Sequence, residues 1–381
     1  MKVFHVISGL NDGGAEAVLY RLISHDQEDV HHVVSLTEEG KYGPLLRSLG
    51  ATVTALGMPR GRLTWRGLRG LWKDLRTYKP DVVQTWMYHA DLLGGVLGRL
   101  AGRPVVWGVH NTTLEPGRSS RATILVAHAC GWLSNLIPEV IVACAERAVR
   151  AQINMGYKAT RFEVIPNGCD FSRFVPDTGS RALLRAKWGM RQDIPLLGMV
   201  ARFDPYKNHR SLIDALAHLH ANGTDFAAVL VGTGVDEGND ELNAQIQMSG
   251  LKQHVRLLGP RADIPAVMNA LDVHILSSNA EAFGNVLVEA MACGTPCVAT
   301  DVGDATRIIG DTGWVVPPND SRALADGIQA ALQARLLQGK WEQRRLRTRQ
   351  HVLEEYDIGV MVQRYRAVWI KAVKNRQERM S

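Results

Sequence analysis

The sequence predicts an α/β protein built from two doubly wound parallel sheets. Its 381 residues exceed what one hydrophobic core typically fills, so two domains are expected. Short apolar, β-branched runs alternate with helix-length amphipathic segments throughout. The alternation happens twice, on either side of a more polar, irregular bridge, Cys169-Asp170-Phe171-Ser172-Arg173-Phe174-Val175-Pro176-Asp177-Thr178-Gly179-Ser180. Strands this short and apolar, spaced by helices, belong in buried parallel sheets with helices on both faces.

The strands of the first half are expected at residues 3–7, 32–36, 52–56, 82–86, 105–109, 140–143 and 163–165. Those of the second half are expected at 196–200, 227–231, 255–257, 273–276, 297–299 and 314–316. The domains then run over 1–175 and 176–355. Sheets of this kind bind ligands outside the carboxyl ends of their strands, so the two are expected to face each other across one cleft.

Composition narrows the class only coarsely. A hydrophobic fraction of 46% and a charged fraction of 22% are ordinary for a soluble globular protein. The net charge of +6 suits an anionic small molecule, an anionic membrane surface or nucleic acid without choosing among them. Five cysteines, Cys130, Cys144, Cys169, Cys293 and Cys297, form no C-x-x-C and point to a reducing, cytoplasmic setting. The apolar core of the first eight residues is too short for a signal peptide. The longest apolar region, 123–144, is broken by His128, Asn135, Pro138 and Glu139 and does not read as a membrane span.

The chemistry concentrates in Glu281-Ala282-Phe283-Gly284-Asn285-Val286-Leu287-Val288-Glu289. The run goes on as Ala290-Met291-Ala292-Cys293-Gly294-Thr295-Pro296, where Gly and then Pro signal a helix stop. Glu281 therefore lies in a loop, a helix begins near Asn285, and Glu289 sits one turn inside it. A helix N-terminus offers N–H groups and partial positive charge to a phosphate. Gly284 admits close backbone approach. Glu289, on the same face as Asn285, suits hydroxyls such as a ribose diol. The spacing alone fits an acid-capped surface helix as well.

Other loops follow strands in the same way. Ser8-Gly9-Leu10-Asn11-Asp12-Gly13-Gly14-Ala15-Glu16 places adjacent glycines before a helix, either for a phosphate or sugar contact or for the sterics of a βα turn. Arg202 and Lys207 bracket Phe203-Asp204-Pro205-Tyr206 after a buried strand, an arrangement that suits a pyrophosphate; two solvated cations are the alternative. His110 follows the strand at 105–109 and precedes Asn111-Thr112-Thr113; a hydrogen-bonded structural histidine fits there equally.

The loop Val231-Gly232-Thr233-Gly234-Val235-Asp236-Glu237-Gly238 resembles a dinucleotide fingerprint, but the next strand ends in Gly259-Pro260, with no ribose-binding acid. Its glycines are read as close approach to a nucleotide and not as a nicotinamide site. No metal site is expected: there is no Asp-x-Asp, no His-Glu-x-x-His and no cysteine cluster. Arg202, Lys207 and the helix start at Asn285 can neutralise a leaving diphosphate.

Two basic segments bear on partners. Residues 60–73, rich in Arg and Trp with leucines at helical spacing, fit docking at an anionic membrane surface or a helix packed into its own domain. Arg344-Arg345-Leu346-Arg347-Thr348-Arg349 reads as a solvated helix face, and no nucleic-acid signature accompanies it.

Taken in order, Gly13-Gly14, His110, Pro166-Asn167-Gly168, Arg202 with Lys207, Gly232, Gly259 and the two glutamates resemble a retaining glycosyltransferase of family 4 with the two-domain GT-B architecture. The resemblance spans nearly the whole chain and is strongest over 198–319. It implies that Glu289 holds the ribose hydroxyls, and that Arg202 and Lys207 bind the diphosphate with N–H groups at Gly284 and Asn285. It also implies that Glu281 and His110 contact the donor sugar, that Gly14 closes over the sugar phosphate, and that Pro260, Arg261 and the residues to Asp263 lie near the base. Gly13, Gly232, Phe283 and Val286 complete the implied donor site. The resemblance further implies a last helix, opening at Tyr356 and reaching at least Lys371 within 356–381, that returns to the first domain.

The implied activity is transfer of a sugar, from a UDP-sugar ahead of a GDP-sugar, to a glycan or lipid-linked glycan in bacterial-type cell-surface polysaccharide synthesis. No cofactor, metal or nucleic acid is implied, and the setting is the cytoplasm, at the inner face of the membrane where a lipid-linked acceptor is used. A sugar-nucleotide epimerase and a non-catalytic nucleotide-sugar-binding scaffold are the alternatives on the same architecture. Asn285 and Asp304 depart from residues common in the family at those positions.

Overall fold

The computed structural model describes residues 1–11, 13–110 and 120–379. Asp12 and the Asn111-Thr112-Thr113 segment lie outside the described residues. The chain divides into two compact units, Met1–Gly168 with Ile358–Ser381, and Cys169–Asp357.

The first unit runs β1 (Lys2–Ile7), α1 (Gly14–His25), β2 (Val30–Ser35), α2 (Tyr42–Ser48), β3 (Thr52–Ala55), α3 (Trp65–Tyr78), β4 (Val82–Trp86), α4 (Tyr88–Leu100), β5 (Val105–Val109), α5 (Arg121–Leu133), β6 (Val140–Ala143), α6 (Glu146–Asn154) and β7 (Phe162–Val164). The strands form one parallel sheet in the order β3-β2-β1-β4-β5-β6-β7. Its central strands are buried from end to end, which is why they read as unbroken apolar runs.

The second unit runs α7 (Thr178–Lys187), β8 (Leu196–Val200), α8 (His209–Ala221), β9 (Ala227–Val231), α9 (Asp240–Met248), β10 (Val255–Leu257), α10 (Ile264–Ala270), β11 (Val273–Leu276), α11 (Asn285–Ala292), β12 (Cys297–Thr300), α12 (Ala305–Ile309), β13 (Trp314–Val316), α13 (Ser321–Leu336) and α14 (Gln338–Glu355). Its parallel sheet has the order β10-β9-β8-β11-β12-β13. In each sheet the strand order reverses once, between β1 and β4 and between β8 and β11. That reversal opens a crevice at the carboxyl ends where a ligand can sit.

Every expected strand is present, with ends moved by at most two residues. The last helix differs. α15 spans Ile358–Glu378 and packs Met361, Val362, Tyr365, Val368 and Trp369 into the core of the first unit with Val3, Ile7, Leu19 and Trp86. Tyr356, expected to open that helix, instead ends α14 and sets its ring edge-on to Phe283, 5.6 Å between centroids, inside the second unit. The apolar periodicity runs through Tyr356 without a break, so the sequence does not mark the change of unit.

The five cysteines are buried. Among the described residues, no helix is long and apolar enough to cross a membrane.

Candidate functional site

Within the second unit, the candidate residues gather on the loops after β8 and β11, the two strands that flank the reversal. After β8 the chain turns at Asp204, whose carboxylate accepts from Tyr206 N at 2.9 Å and from Arg202 Nε at 3.2 Å. Arg202 is exposed and Lys207 half-buried. Asn208 caps α8 in a left-handed conformation, φ 49°, accepting from Ser211 N.

After β11, Ser277 Oγ donates to the carbonyls of Lys207 and Asn208 at 3.0 and 3.1 Å, and Asn279 N donates to Tyr206 O at 2.7 Å. These bonds fasten the two loops together. They bring Lys207 Nζ to Glu281 Oε1 at 2.6 Å, where Ser278 Oγ also donates at 2.6 Å. Ser278 is fully buried, and its own carbonyl accepts from Thr300 Oγ1 at 2.6 Å.

Glu281 and Lys207 are only 12% and 22% exposed as side chains, so each charge needs the other. Charge-assisted bonds of this length are among the stronger ones a protein makes. The pair is thus a preformed cation beside a preformed acceptor, with the acceptor on the loop that leads into α11.

That helix begins where expected. Gly284 occupies the N-cap at φ 115°, a conformation other residues rarely adopt, and it has no side chain with which to cap the helix. Leu287, Val288, Met291 and Ala292 turn into the core, while Asn285, Val286 and Glu289 stay half-buried on the opposite face. Asn285 and Glu289 therefore share the face that a ligand at the helix start would meet. Gly232 allows no side chain: a methyl group there would overlap the carbonyl oxygen of Ala201 and press on Arg202 N.

In the first unit Gly13 is the N-cap of α1 and Gly14 its first residue. Gly14 is exposed, and a Cβ on it would meet nothing within 4 Å among the described residues. The sterics of the turn thus do not call for glycine at that position. His110 follows β5 directly and is 7% exposed; burial drives its pKa down to about 4, so its ring is neutral.

Comparison with known proteins decides the family. The model described as "Glycosyltransferase Family 4" matches residues 12–173, and "Glycosyl transferases group 1" matches 180–348. The chain is 32% identical over 315 residues to EpsF of Bacillus subtilis (strain 168), which carries a provisional glycosyltransferase name; the match covers 79% of each chain. The chain belongs to the family 4 glycosyltransferases.

It is also 26% identical over 312 residues, again 79% of each chain, to the Escherichia coli UDP-Gal:alpha-D-GlcNAc-diphosphoundecaprenol alpha-1,3-galactosyltransferase. Among solved structures it resembles Anabaena Alr3699/HepE in complex with UDP, with a TM-score of 0.84 and 26% identity over 96% of this chain and 99% of that one. The UDP-glucose complex of the same protein matches with a TM-score of 0.81 over 96% and 98%. The fold of this glycosyltransferase is therefore GT-B.

The structure of the glycosyltransferase adds detail at three more of the expected donor-site residues. The Phe283 side chain is 2% exposed and packs on Tyr356, which leaves only its main chain to face a ligand. Arg261 is held bidentately by Asp263, Nε to Oδ1 at 2.8 Å, and its guanidinium lies 5.5 Å from the Trp188 ring centroid. Pro260 lies in the loop after β10.

The basic run of α14 is not a solvated face. Arg344 donates to Thr312 O at 2.8 Å and lies over Trp314, Arg345 donates to Gly294 O at 3.0 Å, and Arg349 donates to Ala292 O. Two of these arginines thus cap the carboxyl end of α11, where cations are favourable; only Arg347 remains exposed, paired with Asp311.

Ser278, Asn279 and Asp204 had no sequence signal beyond their place after strands. Gly303 was also missed: its φ of 55° strains any other residue, and a Cβ there would press on the Glu281 and Phe283 carbonyl oxygens at 3.0 and 3.1 Å. Among the described residues, no group of three or more His, Cys, Asp or Glu is arranged to hold a metal ion.

Proposed function

We propose that this glycosyltransferase is a retaining, metal-independent hexosyltransferase that takes its sugar from a UDP-sugar and delivers it to a hydroxyl of a glycan or lipid-linked glycan. The observation that carries the reading is the Lys207–Glu281 pair, fastened between the β8 and β11 loops beside the start of α11. A diphosphate placed there meets Lys207, Arg202 and the N–H groups at Gly284 and Asn285, while Glu281 reaches the sugar.

In this reading Glu289 takes the ribose hydroxyls. His110 and Gly14 of the first unit belong to the donor sugar and its phosphate. The loop at Pro260 and Arg261 approaches the base. The diphosphate leaves with its charge neutralised by two side-chain cations and a helix terminus, so no metal is needed for that task. The acceptor hydroxyl attacks the face from which the diphosphate departs, and the anomeric configuration is kept.

The uridine preference is supported by the UDP and UDP-glucose complexes of the Anabaena neighbour and by the UDP-Gal donor in the name of the Escherichia coli relative. That relative's name also supports a lipid-linked acceptor, and with it a role in cell-surface polysaccharide synthesis at the inner face of the cytoplasmic membrane.

The start of α3 supports contact with an anionic surface. Trp65 and Leu63 are 75% and 61% exposed among the exposed Arg60, Arg62, Arg66 and Arg69. Further along, Leu71 and Leu75 pack into the core, so the same helix is also anchored in its own domain.

A thermal-shift screen with UDP, GDP and their sugars tests the donor. A ligand at 100 times its dissociation constant adds about 2.7 kcal/mol to stability. UDP and one UDP-sugar should raise the melting temperature while GDP does not; a shift with guanosine ligands alone would overturn the uridine assignment. The anomeric configuration of the product, read by NMR coupling constants, tests retention.

A further inference from the structure

Trp86 ends β4, one of the two strands flanking the reversal of the first sheet, and is fully buried. Its indole stacks with the imidazole of His110, centroids 5.2 Å apart and planes 19° from parallel. It also stacks with Tyr365 of α15, at 5.7 Å and 26°. Among the described residues, His110 Nε2 has no hydrogen-bond partner. The stack on Trp86 is therefore what this structure offers to fix the plane of the His110 ring.

Trp86 is in turn held by a directional chain. Its Nε1–H donates to His5 Nδ1 at 3.2 Å. His5 Nε2 lies 3.0 Å from His31 Nδ1, and His31 Nε2 lies 3.4 Å from Asp26 Oδ2. An indole N–H can only donate. His5 Nδ1 must accept, so His5 carries its proton on Nε2 and gives it to His31 Nδ1. His31 then carries its proton on Nε2, facing the Asp26 carboxylate.

One proton arrangement makes both hydrogen bonds of the chain, Trp86 to His5 and His5 to His31, and turns the His31 Nε2–H towards the Asp26 carboxylate, an ion-pair contact without a hydrogen bond. Burial first, then His31 and His32, hold the His5 pKa well below its ordinary value, in keeping with a neutral ring. Polar groups at these buried positions are costly unless fully paired, whereas apolar rings would fill the same space without that demand. What the chain adds is a fixed rotation of the Trp86 indole.

We infer that Trp86 is the positioning residue for His110, and that the His5–His31–Asp26 chain sets Trp86 by engaging its indole N–H. The inference rests on the assignment of His110 to the donor sugar. None of these residues other than His110 need touch substrate.

Two variants of the full chain test it. Trp86→Phe keeps a stacking ring and removes the N–H donor. His31→Leu breaks the chain two members away from His110. Nitrogen-15 NMR of labelled histidines should find His5 and His31 both protonated on Nε2 in the wild type. In each variant the His110 resonances, assigned from their loss in His110→Ala, should move. With UDP-glucose and UDP-galactose as donors, kcat should fall on the order of tenfold or more with KM for the donor unchanged.

A His5 ring protonated on Nδ1 would overturn the inference whether or not the variants fold. So would unchanged His110 resonances and kcat in His31→Leu. Full activity in His110→Ala would instead remove the assignment on which the inference rests, and the tautomers of His5 and His31 would still report on the chain itself.

Discussion

Lys207 Nζ and Glu281 Oε1 meet at 2.6 Å across 74 residues of sequence. The strands that carry them, β8 and β11, are neighbours in the sheet, and Ser277 and Asn279 bind one loop to the other. The pair is thus a product of the strand order. A ligand diphosphate does not have to recruit its cation, because the cation is already held by the group that would contact the sugar. Lys207→Ala and Glu281→Ala should each lower kcat/KM by on the order of 10²–10³-fold. In a double-mutant cycle the combined loss should be well short of the sum of the two, since the residues share one interaction. Strict additivity would show that they act separately.

Glu289 stands one turn into α11 on the face it shares with Asn285. Glu289→Gln should raise the dissociation constant for UDP by roughly tenfold, the scale of losing a hydrogen bond to a charged acceptor. Binding of inorganic pyrophosphate should be unchanged, because the ribose is missing. Calorimetric titration with the two ligands separates these effects, and equal weakening of both would place Glu289 at the phosphates instead.

Gly14 has open space where a side chain would begin and lies in the first turn of α1. Gly14→Ala should therefore leave stability unchanged or raise it by about 0.4–1 kcal/mol, through the unfolded state. The same substitution should lower kcat/KM if a phosphate closes on that backbone. Stability and activity moving in opposite directions is the expected signature; unchanged activity would return Gly14 to the turn.

His274 lies in the middle of β11 with neither ring nitrogen hydrogen-bonded among the described residues, and burial lowers its pKa from 6.5 to about 3. Above pH 6.5 the ring is neutral both folded and unfolded. Below it the unfolded chain takes up a proton that the folded chain refuses, so stability falls as pH drops from 6.5 towards 3. His274→Leu removes that dependence and the unpaired polar atoms, and should stabilise the protein by about 1–3 kcal/mol at neutral pH. Denaturation midpoints at pH 7 and pH 5 check both parts; a destabilised variant would mean that the ring has a polar partner in solution.

Most of the fold was legible because fully buried parallel strands leave little choice of residue. β4, β5, β6, β8 and β9 appear at the bounds their apolar runs imply. β2 begins two residues early, at Val30, because its exposed first position and the polar His31 do not look like the start of a strand. The loop at Glu281 and the helix start at Gly284 and Asn285 could be read because a loop-to-helix transition is a local event. Ser278 could not, because its contact with Glu281 depends on how the loop folds back. Trp86, His5 and His31 look like ordinary core residues until strand order sets them side by side. The arginines of α14 misled for the same reason: charge suggests solvent, and only packing reveals the carbonyls at the end of α11.

In the proposed reading, the β8 and β11 loops with the start of α11 seat the diphosphate and the departing sugar. The decisive measurement is nucleotide diphosphate release from UDP-sugars in the presence of acceptor glycans, compared for the wild type, Arg202→Ala and Glu281→Ala. The wild type should release it, and release should disappear in both variants while each remains folded. Full release by both variants would contradict that reading.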